Sequence, residues 1–335
     1  MSIREELEQR EMEYLSPYAA KSRESQGRDR PEPQCDLRPV YQRDRDRILH
    51  CKSFRRMKRK TQVFLAPTGD YYRTRLTHTL EVSQIARTIA KSLRMNEDLT
   101  EAIALGHDIG HPPFGHAGEA ALNEVYPGGF VHAEQSVRVV ELLEKDGRGL
   151  NLTVEVRDGI RNHRSDGHPS TMEGKIVRLS DKIAYINHDI DDAIRAGLLT
   201  ERMLPPEYTA VLGHTVRERL NTLIHSIIEC SLNQPDIRMD PDIEMAMSGL
   251  RQFMFDTVYT GSAAKREDEK AKEVIRRLYY YYLEHTEEMP EEYLNLVWIH
   301  QESWPRVVCD YLSAMTDDYA IGCFQDLYVP RPWQD

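Results

Sequence analysis

"LGHDIGHPPFGHAGE", residues 105–119, sets three histidines, one aspartate and one glutamate among glycines and prolines. A helix cannot run through Pro112 and Pro113, which lack the backbone N–H and clash with the preceding turn. The stretch therefore reads as one helix stopping near Gly110 and another starting near His116. Adjacent His107 and Asp108 would face apart on a continuous helix. At a helix end both side chains can turn toward one point, and the glycine and prolines supply that end.

The flanking sequence is helical on both sides. "THTLEVSQIARTIAKSL" (77–93) carries Val82, Ile85, Ala86, Ile89, Ala90 and Leu93 on one stripe, with His78 a turn before Val82 on the same inward face. Asn96, followed by Glu97 and Asp98, is an N-cap with acids in the first turn, and starts the helix that ends near Gly110. A further helix covers "AEQSVRVVELLEK". Residues 171–197 form a long helix with a core stripe of Ile176, Leu179, Ile183, Ile186, Ile190 and Ile194, stopped by Gly197. Beside that stripe run Asp181, Tyr185, His188 and Asp192, and a second polar line of Lys182, Tyr185 and Asp189. "TQVFLAPTGDYYRTRL" (61–76) reads as two short strands around a turn. The fold class is mainly α: a helical bundle with a small β-hairpin and an additional C-terminal helical region. Residues 1–35 form a charged N-terminal arm, helical or partly disordered. Residues 36–335 form a single helical domain, with its chemistry within 75–195 and a C-terminal helical extension over 200–335. In "AKEVIRRLYYYYLEHTEEM" four consecutive tyrosines cannot share one face, so at least one packs in the core and another at an interface.

Composition sets the class. Hydrophobic content of 40% and charged content of 30% suit a soluble globular chain. No apolar run approaches the ~20 residues of a membrane span, and "MSIREELEQREMEYL" lacks the apolar segment of a signal peptide. The expected compartment is the cytoplasm. Five scattered cysteines form no C-x-x-C pair, which argues against a cysteine zinc site or a disulfide framework and makes most of them small buried apolar residues. Net charge is −11, yet Arg43 to Lys60 holds nine basic residues against two acids. Such a patch in an acidic protein suggests a polyanionic ligand.

His78, His107, Asp108 and Asp181 come from three helices and could meet in space. Taken singly, His78 reads as a core histidine and Asp181 as an exposed helix residue. Together, a mixed nitrogen and oxygen set with open positions suits a borderline or hard divalent metal and leaves room for water and substrate.

The series H…HD…D resembles the HD-domain phosphohydrolase superfamily. "SFRRMKRKTQVF", "RTRLTHTLEVSQIAR", "GHDIGHPPFGHAGE", "GGFVHAEQSVRVV" and "LSDKIAYINHDIDD" resemble, in order and spacing, the deoxyguanosine triphosphate triphosphohydrolase-like family. The resemblance covers roughly residues 40 to 195 and matches the C-terminal region only loosely. It implies one divalent metal ion per site (Mn, Mg, Fe, Ni, Co or Zn) on His78, His107, Asp108 and Asp181. It implies His116 as catalytic histidine with Glu119 as its acidic partner, at i and i+3 on one helix face. It implies that His111 and His132 line the phosphate site, and that Arg75, Lys182, Tyr185 and Asp189 contact phosphates, sugar or base. The implied reaction is hydrolysis of a deoxynucleoside triphosphate to deoxynucleoside and inorganic triphosphate. The implied partners are that substrate, an activating nucleotide or single-stranded DNA, and further copies of the chain in a homo-oligomer, with a hexamer as the suggested form. One departure stands out: Ala133 follows His132 where the family pattern has asparagine. Two other readings compete: another HD hydrolase acting on a monophosphate or cyclic nucleotide, and a non-catalytic nucleotide-sensing or nucleic-acid-binding HD protein. The sequence leaves open the base, the native metal and whether His116 acts as general acid or positions the nucleophile.

Overall fold

A computed structural model describes residues 1–62, 73–259 and 264–331. Helices dominate them, as the periodicity predicts. Of the strands expected over 61–76, the described residues carry only an isolated antiparallel bridge between Thr61 and Thr74; positions 63–72 lie outside them. The chain divides into two compact units. One comprises residues 1–50, 77–107 and 151–262, the other 51–76, 108–150 and 263–335.

In the first unit the helix Glu97–Gly106 is the axis of the core. It packs against Val40–Leu49, Val154–Arg161 and Met172–Arg195, and Leu99, Ala102, Ile103, Ala104 and Leu105 are all buried. Asn96 caps it as expected, accepting from the Leu99 N–H at 3.1 Å. Regular helix ends at Gly106, with His107 as C-cap and turns leading to Gly110. Two glycines let the neighbouring helix Val154–Arg161 come close. A Cβ on Gly106 would lie 2.6 Å from the Ile160 side chain, and one on Gly159 would lie 2.4 Å from Ile103. Thr171 caps Met172–Arg195 through the Gly174 N–H at 3.1 Å. On that helix Ile176, Leu179, Ile183, Ile186 and Ile190 are buried as predicted, while Ile194 is half-buried.

The N-terminal residues contribute a helix, Ile3–Tyr14, opened by a reciprocal cap between Ser2 and Glu5. The segment after it reaches Glu173, which is fully buried. One Glu173 oxygen accepts from the Ala20 N–H (3.1 Å) and the Asn96 N–H (2.9 Å), and the other has no hydrogen-bond partner among the described residues. Burial, only partly offset by those N–H donors, raises this carboxyl to about 7. A carboxyl raised in the folded state stabilises the fold below its unfolded value of 4.5, and that contribution disappears as pH rises through about 7. Glu173→Gln keeps the accepting oxygen and carries no charge. The variant should be more stable than the parent by about 1–3 kcal/mol at pH 8 and indistinguishable from it near pH 4. Denaturant melts at both pH values check this, and equal stability differences at pH 4 and 8 would refute it.

The second unit has a separate core, built by Gly115–Val125, Ala264–Glu284, Trp304–Ala314 and Asp317–Tyr328. Of the four tyrosines, Tyr279 and Tyr282 are buried in it, Tyr281 is half-buried and Tyr280 is exposed. Asp310, also buried, receives Arg138 at 2.7 Å, Arg306 at 3.0 Å and the Gln135 amide at 2.9 Å. Such a pair is weak evidence for stability but strongly destabilising to break.

The N-terminal arginines of the run from Arg43 to Lys60, and Lys60 itself, are taken up internally, while Arg55, Lys58 and Arg59 are exposed. Arg43 and Arg47 pair with Glu32 at 3.4 and 2.7 Å, and Arg45 pairs with Asp98 at 3.0 Å. Lys60 is buried and donates to the carbonyls of His111 (2.6 Å) and Ser313 (2.7 Å). Of the cysteines, Cys51 and Cys309 are buried and Cys35, Cys230 and Cys323 are half-buried, so the apolar-core reading holds for two of the five; all are free thiols.

Candidate active site

In the first unit three donor atoms converge. His78 Nε2 lies 3.1 Å, and His107 Nε2 3.8 Å, from the same oxygen of Asp181. Both histidines are buried, and the Asp181 side chain is partly open to solvent. His107 Nδ1 is 2.6 Å from the Ala104 carbonyl. A carbonyl only accepts, so Nδ1 carries the hydrogen and the neutral ring presents its lone pair on Nε2. Metal-binding histidines are commonly fixed in this way. His78 Nδ1 is buried with no hydrogen-bond partner among the described residues. Burial would raise the Asp181 carboxyl; the hydrogen bond from His78 and the nearby His107 and His163 outweigh it and hold Asp181 well below the usual range. An ionised carboxylate between two imidazoles is a donor set suited to a divalent cation.

Further along the same helix, Lys182 is half-buried, and burial together with Arg178 and Arg251 lowers its pKa. Tyr185 is half-buried and Asp189 buried, so the polar line predicted beside the core stripe is not a solvated face.

In the second unit the glycine–proline stretch gathers the remaining groups. Gly110 is obligatory, because a Cβ there would lie 2.2 Å from the Ser136 backbone nitrogen at the helix His132–Arg138. A Cβ on Gly118 would meet the Pro113 carbonyl oxygen at 1.9 Å. Asp317 fastens this turn, accepting the Phe114 N–H at 3.0 Å and the Thr61 N–H at 2.9 Å. Arg75 donates to Asp108 and to the Thr61 and Gln62 carbonyls. His132 Nε2 lies 3.8 Å from the other Asp108 oxygen. The His111 and His132 rings stack at 4.5 Å, and His111 meets His116 edge-on at 5.6 Å.

Glu119 was expected to orient His116. Its hydrogen bonds go to His132, from the ring Nδ1 (2.8 Å) and the backbone N–H (2.9 Å), while a His116 ring nitrogen comes within 4.8 Å. Burial raises the Glu119 carboxyl, but the His132 hydrogen bond and charge bring it down to about 2. These two bonds anchor His132 even with alanine at position 133. Burial first, then Arg75, lowers the pKa of both His111 and His116. His116 is the solvent-exposed ring of this group, so its desolvation is less complete than that of buried His111.

Sequence reasoning placed His188 on a polar line of the long helix without a role, and missed His163. His188 Nδ1 lies 3.0 Å from a Glu81 oxygen, and its ring meets that of His78 edge-on at 6.2 Å. His163 is buried, with its ring 5.0 Å from that of His107. His163 sits in a short polar segment, "RNHRSDGH", which carries no periodic signal.

Comparison with known proteins extends these observations over the whole chain. Residues 75–186 match the HD domain, and residues 237–326 match a phosphohydrolase-associated domain. A protein of Caldanaerobacter subterraneus subsp. tengcongensis is 56% identical over 99% of this chain and 98% of its own length. One from Clostridium tetani is 49% identical over 99% and 97%, and one from Desulfatibacillum aliphaticivorans 46% identical over 99% of each. All three are named deoxyguanosinetriphosphate triphosphohydrolase-like protein. A phosphohydrolase from Bacteroides thetaiotaomicron superposes with a TM-score of 0.55 at 17% identity, covering 86% of this chain and 68% of that one, which shows a shared fold.

Proposed function

The chain belongs to the deoxyguanosinetriphosphate triphosphohydrolase-like family of HD-domain hydrolases, and from that premise we propose that it splits a deoxynucleoside triphosphate into deoxynucleoside and inorganic triphosphate. The observation that carries this reading is the convergence of His78 and His107 on one Asp181 oxygen, with the His107 tautomer fixed for ligation. Asp108, the next residue after His107 in the chain, is proposed as the fourth ligand. When bound, a divalent ion supplies a Lewis acid for an α-phosphate oxygen.

The protein groups do the rest. Arg75, Lys182, His111 and His132 receive the phosphates, whose roughly four negative charges call for convergent N–H donors. His116, exposed beside buried His111 and half-buried His132, is the imidazole a substrate reaches. It holds or moves a proton at the α-phosphate while the Glu119 carboxylate keeps His132 oriented. Tyr185 and Asp189 border the sugar and base, and a tight wall there disfavours a 2′-hydroxyl.

The test is to incubate the protein with Mn²⁺ and single nucleotides and resolve the products by chromatography. Deoxyguanosine and intact triphosphate are expected, and label from ¹⁸O-water should enter the triphosphate. Stepwise orthophosphate release would reverse the proposed substrate orientation. Equal kcat/KM for GTP and dGTP would remove the deoxyribose preference and favour a broader HD hydrolase.

A further inference from the structure

We infer that His163 belongs to the metal centre as a positioning residue whose Nε2 accepts a hydrogen bond from water in the ion's coordination sphere. The inference rests on the proposed ion at His78, His107 and Asp181, and concerns a residue outside that ligand set.

His163 repeats the local geometry of His107. The helix Glu97–Gly106 ends immediately before His107, and Val154–Arg161 ends two residues before His163. In each case Nδ1 meets the carbonyl three residues back, Ala104 for His107 and Ile160 for His163, at 2.6 and 2.7 Å. Each ring therefore donates through Nδ1 and, when neutral, carries its lone pair on Nε2. Gly106 and Gly159 allow these two helices to pack closely enough to bring their ends together. The His163 ring then meets that of His107 at 5.0 Å and an interplanar angle of 71°.

A hydrophobic residue would fill this buried site without bringing a second lone pair beside the ligands. With its ring beside that of His107 and outside the set His78, His107 and Asp181, His163 is assigned an outer position, linked through water. Partners of this kind typically contribute about 10–100-fold in metal affinity.

Two variants separate this role from simple packing. His163→Phe keeps the ring volume and loses the acceptor, whereas His163→Gln keeps an acceptor. Mn²⁺ affinity is measured by chelator competition on folded protein, with folding checked by circular dichroism, and the visible spectrum of the Co²⁺ form is recorded. The Phe variant should bind Mn²⁺ about 10–100-fold more weakly with a changed Co²⁺ spectrum, and the Gln variant should recover part of the affinity. A folded Phe variant with parental affinity and spectrum would overturn the inference and leave the metal reading intact. A folded Gln variant with no recovery relative to Phe would also overturn it. Should the parent protein bind neither Mn²⁺ nor Co²⁺, the metal reading fails and this inference with it.

Discussion

Asp181→Ala should give a folded protein that retains little divalent metal and loses about 10³-fold or more in kcat/KM. Asp181 is the point on which His78 and His107 converge, so its removal takes away both a proposed ligand and the charge that attracts the cation. Partners outside the ligand shell alone cost about 10–100-fold, and a ligand should cost more. The fold should survive, because the Asp181 side chain is partly exposed and its helix is held by the buried stripe from Ile176 to Ile190. Metal content by elemental analysis, read beside a circular dichroism spectrum, separates the outcomes. Full occupancy in the variant would take Asp181 out of the ligand set, whatever happened to the rate. Loss of helicity would instead mean that the ionised carboxylate holds the buried His78 in place structurally.

The helices around this residue were legible because their signals are local and periodic. The Asn96 cap, the helix Met172–Arg195 and its isoleucine stripe follow from spacing and end chemistry alone. The glycine–proline break between His107 and His116 was legible for the same reason. What spacing cannot convey is which side chains neighbouring elements bring together. Arg43, Arg45 and Arg47 resemble part of a ligand patch until Glu32 and Asp98 come back to meet them. Glu119 sits one turn from His116 on the same helix, yet its hydrogen bonds go to His132, thirteen residues along the chain. His163 had no sequence signal because its place beside His107 comes from the Gly106 and Gly159 contacts of two helices. Local rules read each element, and close approach of backbones decides its partners.

His116→Ala should keep metal binding and substrate affinity and lower kcat by about 10²–10⁴-fold, the scale of a positioned proton-transfer group. The argument starts from what surrounds it. His111 is buried and stacked on His132, His132 is held by Glu119, and Asp108 is engaged by Arg75. His116 lies at the edge of this set and is the solvent-exposed ring. A group that reaches the substrate without supporting its neighbours acts mainly in the transition state, so its loss should appear in kcat and kcat/KM together. Removing an exposed ring leaves no buried cavity, and Ala117, Ala121 and Leu122 still anchor the helix Gly115–Val125. Steady-state kinetics on dGTP, with Mn²⁺ affinity measured in parallel, distinguish the alternatives. A variant with parental kcat and a raised KM would make His116 a phosphate-binding residue. A variant that lost metal would place His116 in the coordination shell and move the proton-transfer role to another imidazole of the same group.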